Sequence, residues 1–422
     1  MGELGARRPV TGGVGVTGDV WPLGHQFELR PEEQPRRLVL GKGGATVCRR
    51  SGGQDGGDVC VVVWMEQADG HGASVQADPA PLGRRVSPAR CEKLKRIEAL
   101  FLVAMATVGL VLGGGGITGA SYHLGTLLAL EMATGWHPSR ADVVVGTSCG
   151  AFTAAMLRGD QLSIDAFLDE ANSRDDVARR LRSRIYHRSV RPTGMVRWVR
   201  RGILPGLSRP DLRLVAGSPA IYSTEGIVEW VEERLGPLAN GWPSQPTVIC
   251  AFDLASRRRT PFGTDAAPWV SLKHAVAAST AVPMVFEPVE IDGRWYADGG
   301  IASGTSADLV LGSPHQLDLV IVVAPMAASE SREGARFYED AFDRAGRAAL
   351  TQELDRVRTE WPDTDIVVFR PDERVLAVTR PNPLSTKAAV PAFLRTLRSL
   401  RDELGAPATW EVLRRHLVAS KV

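Results

Sequence analysis

Two short apolar runs, each ending in glycine and each followed by a stretch of helical spacing, constrain this chain more than anything else in it. Val108 to Leu112 opens onto Gly113-Gly114-Gly115-Gly116-Ile117-Thr118-Gly119, and Val143 to Val145 opens onto Gly146-Thr147-Ser148-Cys149-Gly150. A strand that turns tightly into a helix is the repeating unit of a parallel sheet, because parallel neighbours need a crossover connection. Helices are predicted at Gly119 to Glu131 and from Ala151 to Leu157. Further strands are predicted at Thr247 to Ala251, Val285 to Ile291, Leu317 to Ala324 and Asp365 to Arg370. A helix from Arg332 to Glu360 separates the last two strands, and helical spacing returns at Val390 to Leu404 and Trp410 to Val418. The fold class expected is α/β, with a mostly parallel central sheet flanked by helices.

At 422 residues the chain is longer than one core usually organises. Its character changes near residue 100. Before that point glycine-rich pieces such as RSGGQDGGD show no apolar period outside short runs like VCVVVW, from Val59 to Trp64. Residues 1–104 are read either as a poorly ordered extension or as sequence upstream of a true start at Met105, which opens MATVGLVLGGGG. Residues 105–330 form the expected catalytic domain, with a basic helical cap around 165–215. Residues 331–422 add helices and one strand to the same domain. The charge balance, 50 basic against 48 acidic side chains, offers no chain-wide attraction to nucleic acid, and no nucleic-acid partner is expected. Five scattered cysteines without ligand spacing give neither a disulfide framework nor a metal knuckle. No signal peptide is legible at the N-terminus, and the apolar stretch from Ala99 to Leu112 is shorter than the roughly 20 residues of a membrane helix, so a cytoplasmic protein is expected.

The chemistry follows from the two glycine turns. Gly146-Thr147-Ser148-Cys149-Gly150 fits G-x-S-x-G between a strand and a helix, where a strained turn lifts a serine hydroxyl to the sheet edge beside the helix N-terminus. The bland reading is a glycine-bounded turn with an incidental serine. Four consecutive glycines, Gly113 to Gly116, are costly in chain entropy and suggest backbone N–H groups presented to an anion. That anion is either a phosphate at a helix N-terminus or the oxyanion of acyl transfer. The run contains G-x-G-x-x-G at Gly114, Gly116 and Gly119, but Glu131 lies too early and Asp142 at the wrong end of its strand to bind a ribose. The third signal is Asp298-Gly299-Gly300, after Trp295-Tyr296-Ala297, read as a turn. A buried aspartate can serve as the base that a serine nucleophile needs.

Taken in this order, the glycine loop, the elbow and the Asp-Gly-Gly motif resemble the patatin-like phospholipase family over roughly Val108 to Pro325. Ala277-Ala278-Ser279-Thr280-Ala281-Val282-Pro283, ahead of Phe286-Glu287-Pro288, adds to the resemblance, as do His123 and Gly125. The resemblance implies a serine acyl hydrolase of lipid esters, a phospholipase A or lysophospholipase, with Ser148 as nucleophile and Asp298 as its partner in a dyad without histidine. It implies an oxyanion hole formed by the amides of Gly114, Gly115 and Gly116, to which the Cys149 amide is added as the residue following the nucleophile. No cofactor or metal is expected. Two departures stand out: Thr118 occupies the place where the family usually carries Arg or Lys, and Ile301-Ala302-Ser303-Gly304-Thr305-Ser306 replaces the Asn and Pro that often follow the aspartate motif. The other readings are an esterase or acyltransferase using the same dyad, and a nucleotide- or lipid-binding module without turnover.

Among the histidines, His315 and His416 follow Asp298 in the order of an α/β-hydrolase triad, but neither lies in a strand-end motif, and His123 reads as a packed helical residue. From Arg174 to Arg213 twelve arginines face three aspartates, interleaved with apolar residues including Trp198. The region is read either as a cap that meets anionic lipid at a membrane surface or as an ordinary solvated helical face.

Overall fold

The computed structural model describes residues 106–168, 171, 173–188, 220–330, 332–335 and 337–418, together with the backbone of three earlier strands. Two compact units divide the chain, Met1–Ala104 and Met105–Val422. In the first, β1 (Leu38–Gly41), β2 (Gly44–Arg50) and β3 (Asp58–Val63) form an antiparallel sheet in the order β1-β2-β3. The remaining expectations for residues 1–104, and those for 189–219 of the basic region, lie outside the described residues.

The second unit begins with β4 (Val108–Leu112), α1 (Gly116–Thr134), β5 (Val143–Thr147) and α2 (Cys149–Arg158). There follow α3 (Ile164–Leu168), α4 (Arg174–Ile185), the two-residue strands β6 (His187–Arg188) and β7 (Tyr222–Ser223), and α5 (Glu225–Leu235). Next come β8 (Thr247–Asp253), β9 (Arg258–Phe262), α6 (Leu272–Ser279), β10 (Val289–Ile291) and β11 (Arg294–Asp298). The chain then runs through β12 (Leu319–Val323), α7 (Phe337–Glu360), β13 (Asp365–Phe369), α8 (Glu373–Thr379), α9 (Ala389–Leu404) and α10 (Pro407–Leu417).

The main sheet runs β10-β11-β8-β5-β4-β12-β13, with β9 as an additional partner of β8. From β8 to β13 every neighbouring pair is parallel, while β9, β10 and β11 are antiparallel additions at one end. Alternate residues of the parallel strands enter two separate cores. Leu110, Leu112, Ile321 and Val323 share one with α1 and α2, and Val111, Val320 and Val322 share the other with Leu350, Leu354 and Val357 of α7. Helices therefore cover both faces, which is why β4 and β12 read as unbroken apolar runs.

The antiparallel end determines where the functional residues meet. Ile249 and Cys250 of β8 pair with both β5 and β9, whereas Ala251, Phe252 and Asp253 pair with both β9 and β11. Strands β5 and β11 must therefore share one edge of β8, end to end. Thr147 stands opposite Cys250 and Asp298 opposite Ala251, so the last residues of the two strands are neighbours in register. The elbow after β5 packs closely: a Cβ on Gly150 would lie 1.9 Å from the Leu112 carbonyl oxygen, a space that only glycine leaves.

Several elements differ from the sequence reading. Trp295 to Asp298, expected as a turn, is the strand β11, held by pairing with β8 on one side and β10 on the other. Of Val285 to Ile291 only Val289–Ile291 is a strand, and Phe286 turns instead into the core. Helix α1 begins at Gly116, three residues early, because the glycine loop itself supplies the N-cap, Gly115. Among the described residues no helix is long and apolar enough to cross a membrane.

Candidate active site

Ser148 occupies the junction of β5 and α2 with φ 58° and ψ −125°, a conformation that L-residues rarely adopt. Its Oγ donates to Oδ2 of Asp298 at 2.6 Å across 150 positions of sequence. Both residues are buried, Ser148 to 6% and Asp298 to 4% exposure. The other carboxylate oxygen, Oδ1, accepts the N–H of Gly300 at 2.7 Å, which fixes the plane of the carboxylate and gives the glycine after Gly299 a specific task. Burial lifts the Asp298 carboxyl from 3.8 to about 6, against the opposing pull of the hydrogen bonds from Ser148 and Gly300. A carboxylate made more basic by desolvation and bonded to a hydroxyl has the properties that a general base requires.

No histidine stands between the two. His123 is buried in α1, with Nδ1 bonded to Thr153 Oγ1 at 3.2 Å, and burial lowers its imidazole to about 3, so it stays neutral. His315 is exposed, and His416 pairs with Asp365 at 2.7 Å on the far strand β13.

The glycine loop lies beside Ser148. A Cβ on Gly114 would touch Ser148 Cβ at 3.2 Å, and the Gly115 and Gly116 amides approach the Cys149 sulfur. The Gly114 N–H, however, donates to the Gly304 carbonyl at 2.6 Å and is thereby engaged in holding the loop. This differs from its expected place among the oxyanion donors. The amides of Gly115, Gly116 and Cys149 are the remaining candidates for that place. The Cys149 thiol is no competing nucleophile: burial, then the nearby Asp298 charge, hold it protonated far above the ordinary thiol range. On its Cβ side the loop is closely packed. Added Cβ atoms at Gly115 and Gly116 would meet Pro325 and the Pro383 carbonyl, each at 2.7 Å.

The two departures in sequence have structural counterparts. The Thr118 N–H donates to the Pro383 carbonyl at 3.0 Å, which anchors the loop from the C-terminal segment. Ser303 Oγ accepts the N–H groups of Thr305 and Ser306, and Thr305 Oγ1 donates to the buried Glu353 of α7 at 2.7 Å. The segment carrying the Gly304 carbonyl is thus held without Asn or Pro.

Ser148 opens onto a cavity of about 140 Å³. Apolar side chains dominate the lining: Phe152 and Met156 of α2, Trp230 of α5, and Phe286. The cavity follows α2 from Cys149 to Met156, roughly 10 Å at 1.5 Å per residue. Leu181 and Ile185 of α4 contribute to the wall, so the described part of the basic region does border the site. Among the described residues no group of three His, Cys, Asp or Glu side chains is placed to hold a metal ion.

Residues 110–311 match the family model described as Patatin-like phospholipase, a span that contains Ser148, Asp298 and the glycine loop. A patatin-like domain implies a lipid acyl hydrolase. Among solved structures, the crystal structure of VipD from Legionella pneumophila is similar at a TM-score of 0.32 and 14% identity, covering 74% of this chain and 67% of that one. None of the curated proteins matches the chain.

The raised pKa of Asp298 gives a signed prediction. With Asp298 as the base toward Ser148, the acid limb of kcat/KM is expected to fall near pH 6, tenfold per unit below it, as the carboxylate becomes protonated. Because the folded-state pKa lies above 3.8, the folded protein bears the burial cost only where Asp298 is ionised, fully above about pH 7 and not below about pH 4. Asp298→Asn is expected to raise stability by up to about 3 kcal/mol at pH 8 and to leave it unchanged near pH 4, measured by denaturant titration.

Proposed function

We propose that this protein hydrolyses the carboxylic-ester bonds of single lipid acyl chains, in phospholipids or lysophospholipids, through a Ser148-Asp298 dyad. The observation that carries the reading is the buried 2.6 Å bond from the Ser148 hydroxyl to Asp298 at the end of an apolar cavity. Ser148 Oγ attacks the ester carbonyl while Asp298 takes its proton. The tetrahedral oxyanion accepts hydrogen bonds from the amides of Gly115, Gly116 and Cys149. Collapse breaks the ester C–O bond, and protonated Asp298 returns the proton to the departing alcohol oxygen. Water then adds to the acyl-serine, with Asp298 again accepting a proton, and the second collapse frees the fatty acid and restores the Ser148 hydroxyl.

Access to lipid is read from the cavity's surroundings. Ile221 and Met284 are 62% and 61% exposed, and the Tyr222 N–H bonds the Val285 carbonyl, which joins their two segments beside the lining residues Val282 and Phe286. Arg174, Arg179 and Arg182 are exposed on α4, the helix whose Leu181 and Ile185 line the cavity, and peripheral contact with an anionic membrane surface fits this mixture. Binding to anionic vesicles that weakens with added salt, and exceeds binding to neutral vesicles, is expected; salt-insensitive binding, or none, contradicts the membrane reading.

Two variants test the chemistry. Ser148→Ala and Asp298→Asn each lower kcat on a panel of phospholipid and p-nitrophenyl esters by at least about a thousandfold with the fold retained by circular dichroism. Retained turnover in either removes the dyad. Met156→Trp fills the cavity along α2 and is expected to shift preference from palmitoyl toward butyryl esters by an order of magnitude in the ratio of kcat/KM values. An unchanged ratio places the acyl chain elsewhere.

A further inference from the structure

The backbone amides of the two dyad residues are held by the same short segment, and that segment belongs to neither β5 nor β11. Ser279, the last residue of α6 and 0% exposed, accepts the Ser148 N–H on its Oγ at 2.9 Å. The same hydroxyl donates to the Cys250 carbonyl of β8 at 2.6 Å. Two residues on, the Ala281 carbonyl accepts the Asp298 N–H at 3.0 Å. Between them Thr280 is fixed by its own N–H and Oγ1, which donate to the Val276 carbonyl at 2.9 and 2.8 Å. The turn is therefore rigid, and it contacts both halves of the dyad.

Neither connection is needed to build the sheet. Strands β5 and β11 are each paired to β8 through their own ladders, and these ladders end at Thr147 and Asp298. Beyond the ladder, Ser148 leaves the strand at φ 58°, and its N–H has no strand partner to meet. The Ser279 hydroxyl supplies that partner. It also takes the Ser148 amide out of contention as an oxyanion donor, leaving that task to the loop and to Cys149.

We propose that the C-terminal turn of α6, Ser279 to Ala281, sets the spacing of the dyad, with the Ser279 hydroxyl as a positioning residue that acts through the Ser148 backbone. This rests on the Ser148-Asp298 reading of the site. A shift of the Ser148 amide away from Ser279 moves Oγ relative to both Asp298 and the incoming carbonyl, so the loss falls on the rate of attack. Ser279 itself does not line the cavity, and its hydroxyl bonds only the Ser148 N–H and the Cys250 carbonyl, so the apolar wall along Phe152 and Met156 is left in place.

The test compares Ser279→Ala, Ser279→Thr, Thr134→Ala and the unaltered full-length protein. Thr134 has the same bonding pattern in a buried setting at the end of α1, donating to Leu130 at 2.7 Å and accepting from Trp136 at 3.1 Å, and it touches no dyad residue. Two quantities are read on folded protein isolated by gel filtration: the second-order rate of Ser148 labelling by a fluorophosphonate, and kcat and KM on a p-nitrophenyl ester. Ser279→Ala is expected to lower the labelling rate and kcat at least tenfold with KM within twofold, Ser279→Thr to recover most of the rate, and Thr134→Ala to match wild type. Labelling of Ser279→Ala at the wild-type rate, or an equal loss in Thr134→Ala, overturns the proposal. If Ser279→Ala does not fold, Ser279→Cys replaces it: an intermediate rate supports the positioning role and a wild-type rate overturns it. Failure of the unaltered protein to label at Ser148 rejects the dyad itself, which separates the two outcomes.

Discussion

Everything in the site depends on two strands ending against each other along one edge of β8. Strand β5 arrives parallel to β8 and stops at Thr147, while β11 arrives antiparallel and stops at Asp298, and the two terminal residues face consecutive positions, Cys250 and Ala251. Each strand then turns away from the sheet. The next residue of one is Ser148 and the last of the other is Asp298, so a hydroxyl and a carboxylate separated by 150 positions come within 2.6 Å. Long loops that sample many conformations would pay for this convergence in entropy, whereas two paired strand ends have already lost that freedom.

The carboxylate carries the desolvation cost of the arrangement. Asp298 is buried with hydrogen bonds from Ser148 and Gly300, and desolvation exceeds their combined pull, which leaves its pKa raised. A better-solvated aspartate would be more stable and less basic. The surroundings over-determine the position: the Asp298 N–H is bonded to Ala281, and the Ser148 N–H is bonded to Ser279. Loop segments from distant parts of the chain do the same for the glycine cradle, with Gly304 holding Gly114 and Pro383 holding Thr118. Such supporting contacts are how a protein keeps unfavourable local conformations at a site.

Much of this was legible in the sequence, and the reasons are specific. Strands β4, β12 and β13 were placed within a residue or two because both faces of the sheet are covered and their sequences are continuously apolar. Ser148 and the glycine loop stood out because close backbone approach demands glycine, as at Gly150 beneath the Leu112 carbonyl. Strand β11 was missed because Arg-Trp-Tyr-Ala-Asp has no clean alternation and ends in the polar residue that matters; its extended form comes from its partners β8 and β10. Likewise Pro288 interrupts the stretch expected as one strand from Val285 to Ile291, and only its end pairs. The engagement of the Gly114 amide and the hydroxyl of Ser279 had no sequence signal beyond residue type, since both depend on contacts with chain more than 100 positions away.

The central claim is that the alcohol, the carboxylate and the bare amides act on one reacting centre. A crystal structure of the protein after reaction with a long-chain fluorophosphonate tests it most directly. The account predicts phosphorus bonded to Ser148 Oγ, the phosphonyl oxygen within about 3 Å of the Gly115 and Gly116 amides, Asp298 still beside Oγ, and the alkyl chain along Phe152 and Met156. An adduct on another residue, or a phosphonyl oxygen turned away from the glycine loop, would contradict it.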